Sequence, residues 1–281
     1  MILSDFKLGI CEWAFPLPGP GGLSIASEMG LQGMELDFGD YEKGFPLSNS
    51  NIQKTYLENG KKYSVEFPSM AVNALCAHGM THPEESSDGM IAILAIKKAI
   101  QAAAEMGIPV LQLPSFDDGA IRNEADFYNT CEKLRMACEI AQTHGIIIAT
   151  ENDLSVKESL KLIEEVNTSN FKIFYDTQNY YLNRGYYIRD HLDQLLPHIC
   201  QIHIKDGFNG KISSALLGNG DTDFYHTAGL IKDSKCTTWL FLENYYNVKP
   251  LSNLDNDPFK LLADDIKIAK ETFGIQTSAV R

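Results

Sequence analysis

The chain has 281 residues, 44% hydrophobic and 22% charged, with a formal net charge of −13. That length is long for one ordinary domain but suits a barrel of eight strand–helix units, which runs to ~250 residues. An acidic surface repels phosphate backbones, which argues against nucleic-acid or anionic-membrane partners.

The N-terminal stretch Met1–Lys7 has no basic region leading into a long apolar one. No run reaches the ~18 apolar residues of a membrane span. Cysteines stand at 11, 76, 131, 138, 200 and 236, with no CxxC pair. The expectation is a soluble, cytoplasmic protein with reduced thiols.

Short apolar runs alternate with longer amphipathic ones. Strands are predicted at Lys7–Cys11, Gly33–Asp37, Val72–Ala77, Pro109–Leu113, Ile146–Glu151, Lys172–Asp176, Cys200–Ile204 and Thr238–Glu243. Most are continuous apolar runs, as parallel strands buried on both faces are. Helical spacing joins Met90–Met106, then Phe127, Cys131, Leu134, Cys138 and Ala141, then Phe259, Leu262, Ile266, Ala269 and Phe273. Ser155 and Glu158 read as a capping box opening the helix after the fifth strand. No linker or repeat divides the chain. The first strand–helix turn lacks GxGxxG, which disfavours a dinucleotide fold. The pattern predicts one α/β domain over 1–281, a (β/α)8 TIM barrel.

Barrel chemistry sits at the C-terminal strand ends. Strands five to eight place Glu151, Asp176, His203 and Glu243 at or near these ends, each in or just after an apolar run. Burying an unpaired carboxylate costs several kcal/mol, a penalty that one shared cation removes for all of them. Three carboxylates and an imidazole suit Mn, Mg or Co, and accommodate Zn. Taken singly, each residue is more often a cap, an ion-pair partner or a core histidine. The four equivalent positions carry the argument together.

Five motifs occur in order: Thr150-Glu151-Asn152, Tyr175-Asp176-Thr177-Gln178-Asn179, His203-Ile204-Lys205-Asp206, Gly218–Phe224 and Leu242-Glu243-Asn244. In this order and spacing the chain resembles the xylose isomerase-like TIM barrels, which include sugar-phosphate isomerases and epimerases. The resemblance implies one divalent metal ion held by Glu151, Asp176, His203 and Glu243. It also implies that Glu151 and Glu243 move a proton on opposite faces of a ketose, through a metal-stabilised enediolate. Epimerisation at C3 and aldose–ketose isomerisation both remain open, as does a phosphate on the sugar. Similar enzymes are often homo-oligomers, dimers or tetramers.

Further pocket candidates are His78, Glu12, Trp13, Lys205 and Asn179. For Lys205 a substrate contact and a pairing with Asp206 weigh equally. Asn179 stands where similar epimerases often carry a substrate-binding His. Gly218-Asn219-Gly220 reads either as a phosphate-cradling turn or as a plain tight turn. The aromatic stretch 179–187, with Arg184, reads as a lid, an oligomer surface or ordinary helix packing. The alternative function is a metal-dependent dehydratase of an inositol- or shikimate-type compound. An apurinic endonuclease of this fold needs more His ligands than the segments Leu111–Ser115 and Asp221–Tyr225 offer.

Overall fold

Apolar runs of four to six residues dictate the framework seen in the computed structural model, which describes residues 6–276. The strands are β1 Lys7–Cys11, β2 Gly33–Asp37, β3 Glu66–Ala71, β4 Val110–Pro114, β5 Ile147–Glu151, β6 Phe171–Asp176, β7 Ile199–Ile204 and β8 Trp239–Leu242. They close into a parallel barrel in chain order, with β8 pairing back on β1. The helices are α1 Leu23–Glu28, α2 Ser50–Tyr63, α3 Ser87–Met106, α4 Glu124–Gln142, α5 Val156–Val166, α6 Asn179–Arg184, α7 Ile188–Leu195, α8 Phe224–Ser234 and α9 Pro258–Phe273. Among the described residues, no helix is long and apolar enough to cross a membrane.

Contacts group the chain into two compact units. The first comprises the residues up to Glu35, Glu58–Phe67 and those from Tyr175 onward. Its strand register explains which side chains share a face. Gly9 lies opposite both Gly33 and Phe241, Cys11 opposite Glu35, and His203 opposite Phe241. Side chains alternate along strands, so Cys11, Glu35, His203, Lys205, Phe241 and Glu243 form one set. Trp239 and Phe241 stack at 5.7 Å within it. A Cβ on Gly9 would meet the Phe241 ring at 2.7 Å, and one on Gly33 the Trp239 ring at 2.5 Å. Glycine at 9 and 33 is therefore what lets these two rings fill the interior.

The second unit comprises Leu36–Leu57 and Pro68–Phe174. Here β4 pairs with β5 in full register, from Val110 opposite Ile147 to Pro114 opposite Glu151. Helix α3 is capped by Ser86 and ends on Gly107 in the left-handed region. The Ser155–Glu158 capping box forms as expected at the start of α5.

The third strand departs from expectation. It occupies Glu66–Ala71, whereas the predicted Val72–Ala77 is a short 3-10 helix over Asn73–Cys76. Pro68 and the charged Glu66 disguise the true strand, because proline cannot donate to a ladder. His78 consequently follows a 3-10 turn rather than ending a strand.

Candidate active site

The polar residues at the strand ends of the first unit are tied together by hydrogen bonds. Lys205 is almost fully buried, and its Nζ lies 2.6 Å from Glu243 Oε2 and 3.3 Å from Asp176 Oδ2. Trp13 Nε1 donates to Glu243 Oε1 at 2.9 Å, so both carboxylate oxygens of Glu243 are engaged. Burial pushes the Glu243 carboxyl up. The Lys205 ammonium beside it outweighs burial and holds the group well below the usual carboxylate range.

Asp176 is oriented from below by backbone. Its Oδ1 accepts from Gln178 N at 2.8 Å and Asn179 N at 2.5 Å, at the start of α6. His203 is fully buried and held on both sides. Its Nε2 lies 2.6 Å from Glu35 Oε2, and its Nδ1 lies 3.2 Å from Glu243 Oε2. The Trp13 and Phe241 rings meet it edge-on, at 5.9 and 6.4 Å.

In the second unit, Glu151 is buried at the end of β5 and takes a hydrogen bond from Gln112 Nε2, on the neighbouring strand β4. One ligand atom from each of Glu151, Asp176, His203 and Glu243 lies within 4.8 Å of the others, and all four residues are buried. A buried group of three carboxylates and one imidazole suggests a metal site. A second grouping, Cys11, Glu35 and His203, meets the same distance criterion and shares only His203 with the first. Burial raises the Cys11 thiol well above its ordinary value.

The remaining sequence candidates fall in different places. Asn179 is buried at the first turn of α6 and donates its backbone N–H to Asp176. Glu12 is buried in a short 3-10 helix after β1, where its Oε1 accepts from Gly19 N at 2.9 Å. His78 Nδ1 lies 2.8 Å from Asp88 Oδ1, and its Nε2 3.2 Å from Glu42 Oε1. Burial lowers the proton affinity of His78, but these two carboxylates raise it overall.

Lys205 pairs with Glu243 and Asp176, while Asp206 has other donors. The Asp206 carboxylate accepts from Gly207 N, Gly218 N, Gly220 N and Thr222 Oγ1, at 2.8–3.0 Å. The backbone N–H groups of Gly218 and Gly220, in the turn read either as a phosphate cradle or as a plain tight turn, thus bind the protein's own carboxylate. Within the 179–187 stretch Tyr180 is packed inward: it is buried, stacks on Tyr175 at 4.8 Å and lies 4.1 Å from the His191 ring, whereas Tyr187 is exposed.

Two residues escaped the sequence reading. Glu35 lies inside β2, two residues before its end, and Gln112 lies mid-strand in β4. Each is a polar residue within an apolar run, the signal that marked the four strand-end residues.

Comparison with known proteins agrees with the barrel fold. The chain is 30% identical over 245 residues to a 2-epi-5-epi-valiolone 7-phosphate 2-epimerase from Actinoplanes, covering 85% of this chain and 87% of the relative. It is 25% identical over 249 residues to an L-ribulose-5-phosphate 3-epimerase from Salmonella heidelberg, covering 83% and 85%. The fold matches that of D-psicose 3-epimerase from Clostridium cellulolyticum with a TM-score of 0.77 and 11% identity, over 95% of this chain and 99% of that one. The family model of the xylose isomerase-like TIM barrel matches residues 23–271. The chain belongs to that family.

Proposed function

We propose that this chain, as a single catalytic domain over 1–281, is a divalent-metal-dependent epimerase of a ketose or ketose-like sugar phosphate. The observation that carries the reading is the buried convergence of Glu151, Asp176, His203 and Glu243 within 4.8 Å. One Lys205 ammonium stands against three carboxylates in this cluster, which leaves a place for a divalent cation. The donors are oxygen-rich with one imidazole, which fits Mn, Mg, Co or Zn.

A cation held there supplies polarisation of the substrate carbonyl and acidifies the neighbouring C–H. The chain's own residues do the rest. Asp176 and His203 serve as ligands. Glu151 and Glu243, on β5 and just after β8, stand as the pair that removes the proton from one face and returns it to the other. Lys205 and Trp13 fix the orientation of Glu243 through one oxygen each. Lys205, Trp13, His78, Asn179 and Glu12 stand as candidate substrate contacts, and Lys205 is already committed to two carboxylates.

Both curated relatives are named as epimerases of phosphorylated substrates, so phosphorylated ketoses and cyclitol ketones are the first compounds to test. The net charge of −13 favours a small-molecule partner over nucleic acid. The six free cysteines support a reducing, cytoplasmic setting. A homo-oligomer is the expected assembly.

The test incubates the metal-loaded protein in deuterated water with phosphorylated and free ketoses. Deuterium beside the carbonyl, with recovered epimer, is expected. Loss of water would indicate a dehydratase instead. Absence of exchange across the panel, with one ion bound per chain, would refute the reading.

A further inference from the structure

His203 has two ring nitrogens and two acidic neighbours. Nδ1 faces Glu243, a member of the four-residue cluster, at 3.2 Å. Nε2 faces Glu35, which is outside that cluster, at 2.6 Å. Glu35 is fully buried, and the Cys11 thiol donates to the same Oε2 at 3.6 Å. The strand register places Cys11 opposite Glu35, which brings both to the Nε2 side of the ring.

A buried carboxylate is costly unless donors meet it. The ring Nε2 at 2.6 Å and the Cys11 thiol both meet Glu35 Oε2, and a proton on Nε2 makes the ring a donor to it. We infer that Glu35 is a positioning residue that locks His203 with its proton on Nε2 and leaves Nδ1 as the nitrogen offered to the cation. This rests on the metal site proposed above. A ligating histidine commonly donates its other N–H to a carboxylate, which fixes the ring and raises its basicity. Glu35 supplies that partner from β2, far in sequence from the ligands.

The alternative grouping of Cys11, Glu35 and His203 would place an ion on the Nε2 side. The two arrangements predict opposite nitrogens, and that makes the inference decidable.

The experiment strips the full-length protein with a chelator and titrates it with Mn(II) and Zn(II) by calorimetry. Wild type is compared with Glu35→Ala, Glu35→Gln and Cys11→Ala, each checked for folding by thermal melting. Losing a partner of this kind weakens metal affinity by ~10–100-fold, which is the result expected for Glu35→Ala. Glu35→Gln keeps an acceptor for Nε2–H and should recover part of that loss. Cys11→Ala should bind as wild type. In the Zn(II)-loaded wild type, nitrogen-15 spectra should show a proton on Nε2 of His203 and the ion on Nδ1.

Folded Glu35 variants that bind both ions as tightly as wild type would overturn the inference. So would an ion on Nε2, or lost binding in Cys11→Ala. Should Glu35→Ala not fold, Glu35→Gln and the wild-type spectrum decide alone. A wild type that binds neither ion would remove the metal reading itself, a result distinct from normal uptake insensitive to Glu35.

Discussion

Replacing Lys205 with Met removes an ammonium buried 2.6 Å from Glu243 Oε2 and 3.3 Å from Asp176 Oδ2. Met keeps most of the volume, so the loss is chiefly of charge. Removing one partner of a buried ion pair costs about 3–5 kcal/mol, because the other charge is left uncompensated. For 281 residues the unfolding entropy is about 0.6 kcal/mol per kelvin, so the metal-free variant should melt about 5–8 °C below wild type. A divalent cation supplies the missing positive charge. At a hundredfold excess over its dissociation constant it stabilises by about 2.7 kcal/mol, or about 4–5 °C. The variant, with one more unbalanced negative charge, should bind Mn(II) more tightly than wild type and gain more on its addition. Differential scanning fluorimetry with and without Mn(II) reads both effects. A metal-free Lys205→Met protein that melts within a degree of wild type would refute the counter-charge argument. Equal Mn(II)-induced gains in the two proteins would do the same.

Three other outcomes follow from the geometry. Glu243→Gln retains an acceptor for Trp13 but cannot take up a proton, so kcat on a confirmed substrate should fall by about 10²–10⁴-fold; full turnover would remove Glu243 from the proton-moving role. Asp265 is buried and accepts from Leu217 N, Asn244 Nδ2 and Tyr246 OH at 2.7–2.9 Å, and burial raises its carboxyl to about 7. A raised folded-state value stabilises at low pH and is lost as pH climbs through about 7. Between pH 5 and pH 8, urea unfolding of wild type should therefore lose about 2–3 kcal/mol relative to Asp265→Asn. The same slope in both proteins would contradict the assignment. Asp206→Ala strips the acceptor from four donors of the Gly207–Thr222 loop, at about 1 kcal/mol each, so a loss of about 3–5 kcal/mol should appear in the urea midpoint.

Most of the framework is legible along the chain because parallel barrel strands are buried on both faces and read as apolar runs. β1 and β2 fall on the predicted residues, and the ends of β5 and β6 deliver Glu151 and Asp176 where expected. The third strand was hidden for a local reason. Its sequence, Glu-Phe-Pro-Ser-Met-Ala, carries a charge and a proline, while the more apolar Val72–Ala77 beside it curls into a 3-10 turn. Propensity favoured the wrong six residues. The pairing of Met70 with Leu111 and Ala71 with Gln112 decided otherwise, and pairing is not written in one strand alone.

The same limit separates the readable part of the site from the rest. A ligand at a strand end announces itself, because a charge closing an apolar run needs a reason. The partners of that charge lie on other strands, and their identity depends on register. His203 and Lys205, two residues apart, were legible as one face of β7. That Lys205 turns to Glu243 rather than to adjacent Asp206 follows from Ile204 lying opposite Leu242, which brings Glu243 alongside. Asp206 is meanwhile satisfied by donors from the loop that follows. Glu35 is the sharper case. It lies inside β2, one pleat before the strand end, and reaches His203. Applied to every acidic residue flanked by apolar neighbours, rather than to the last residue of each run, the same desolvation argument would have picked out Glu35.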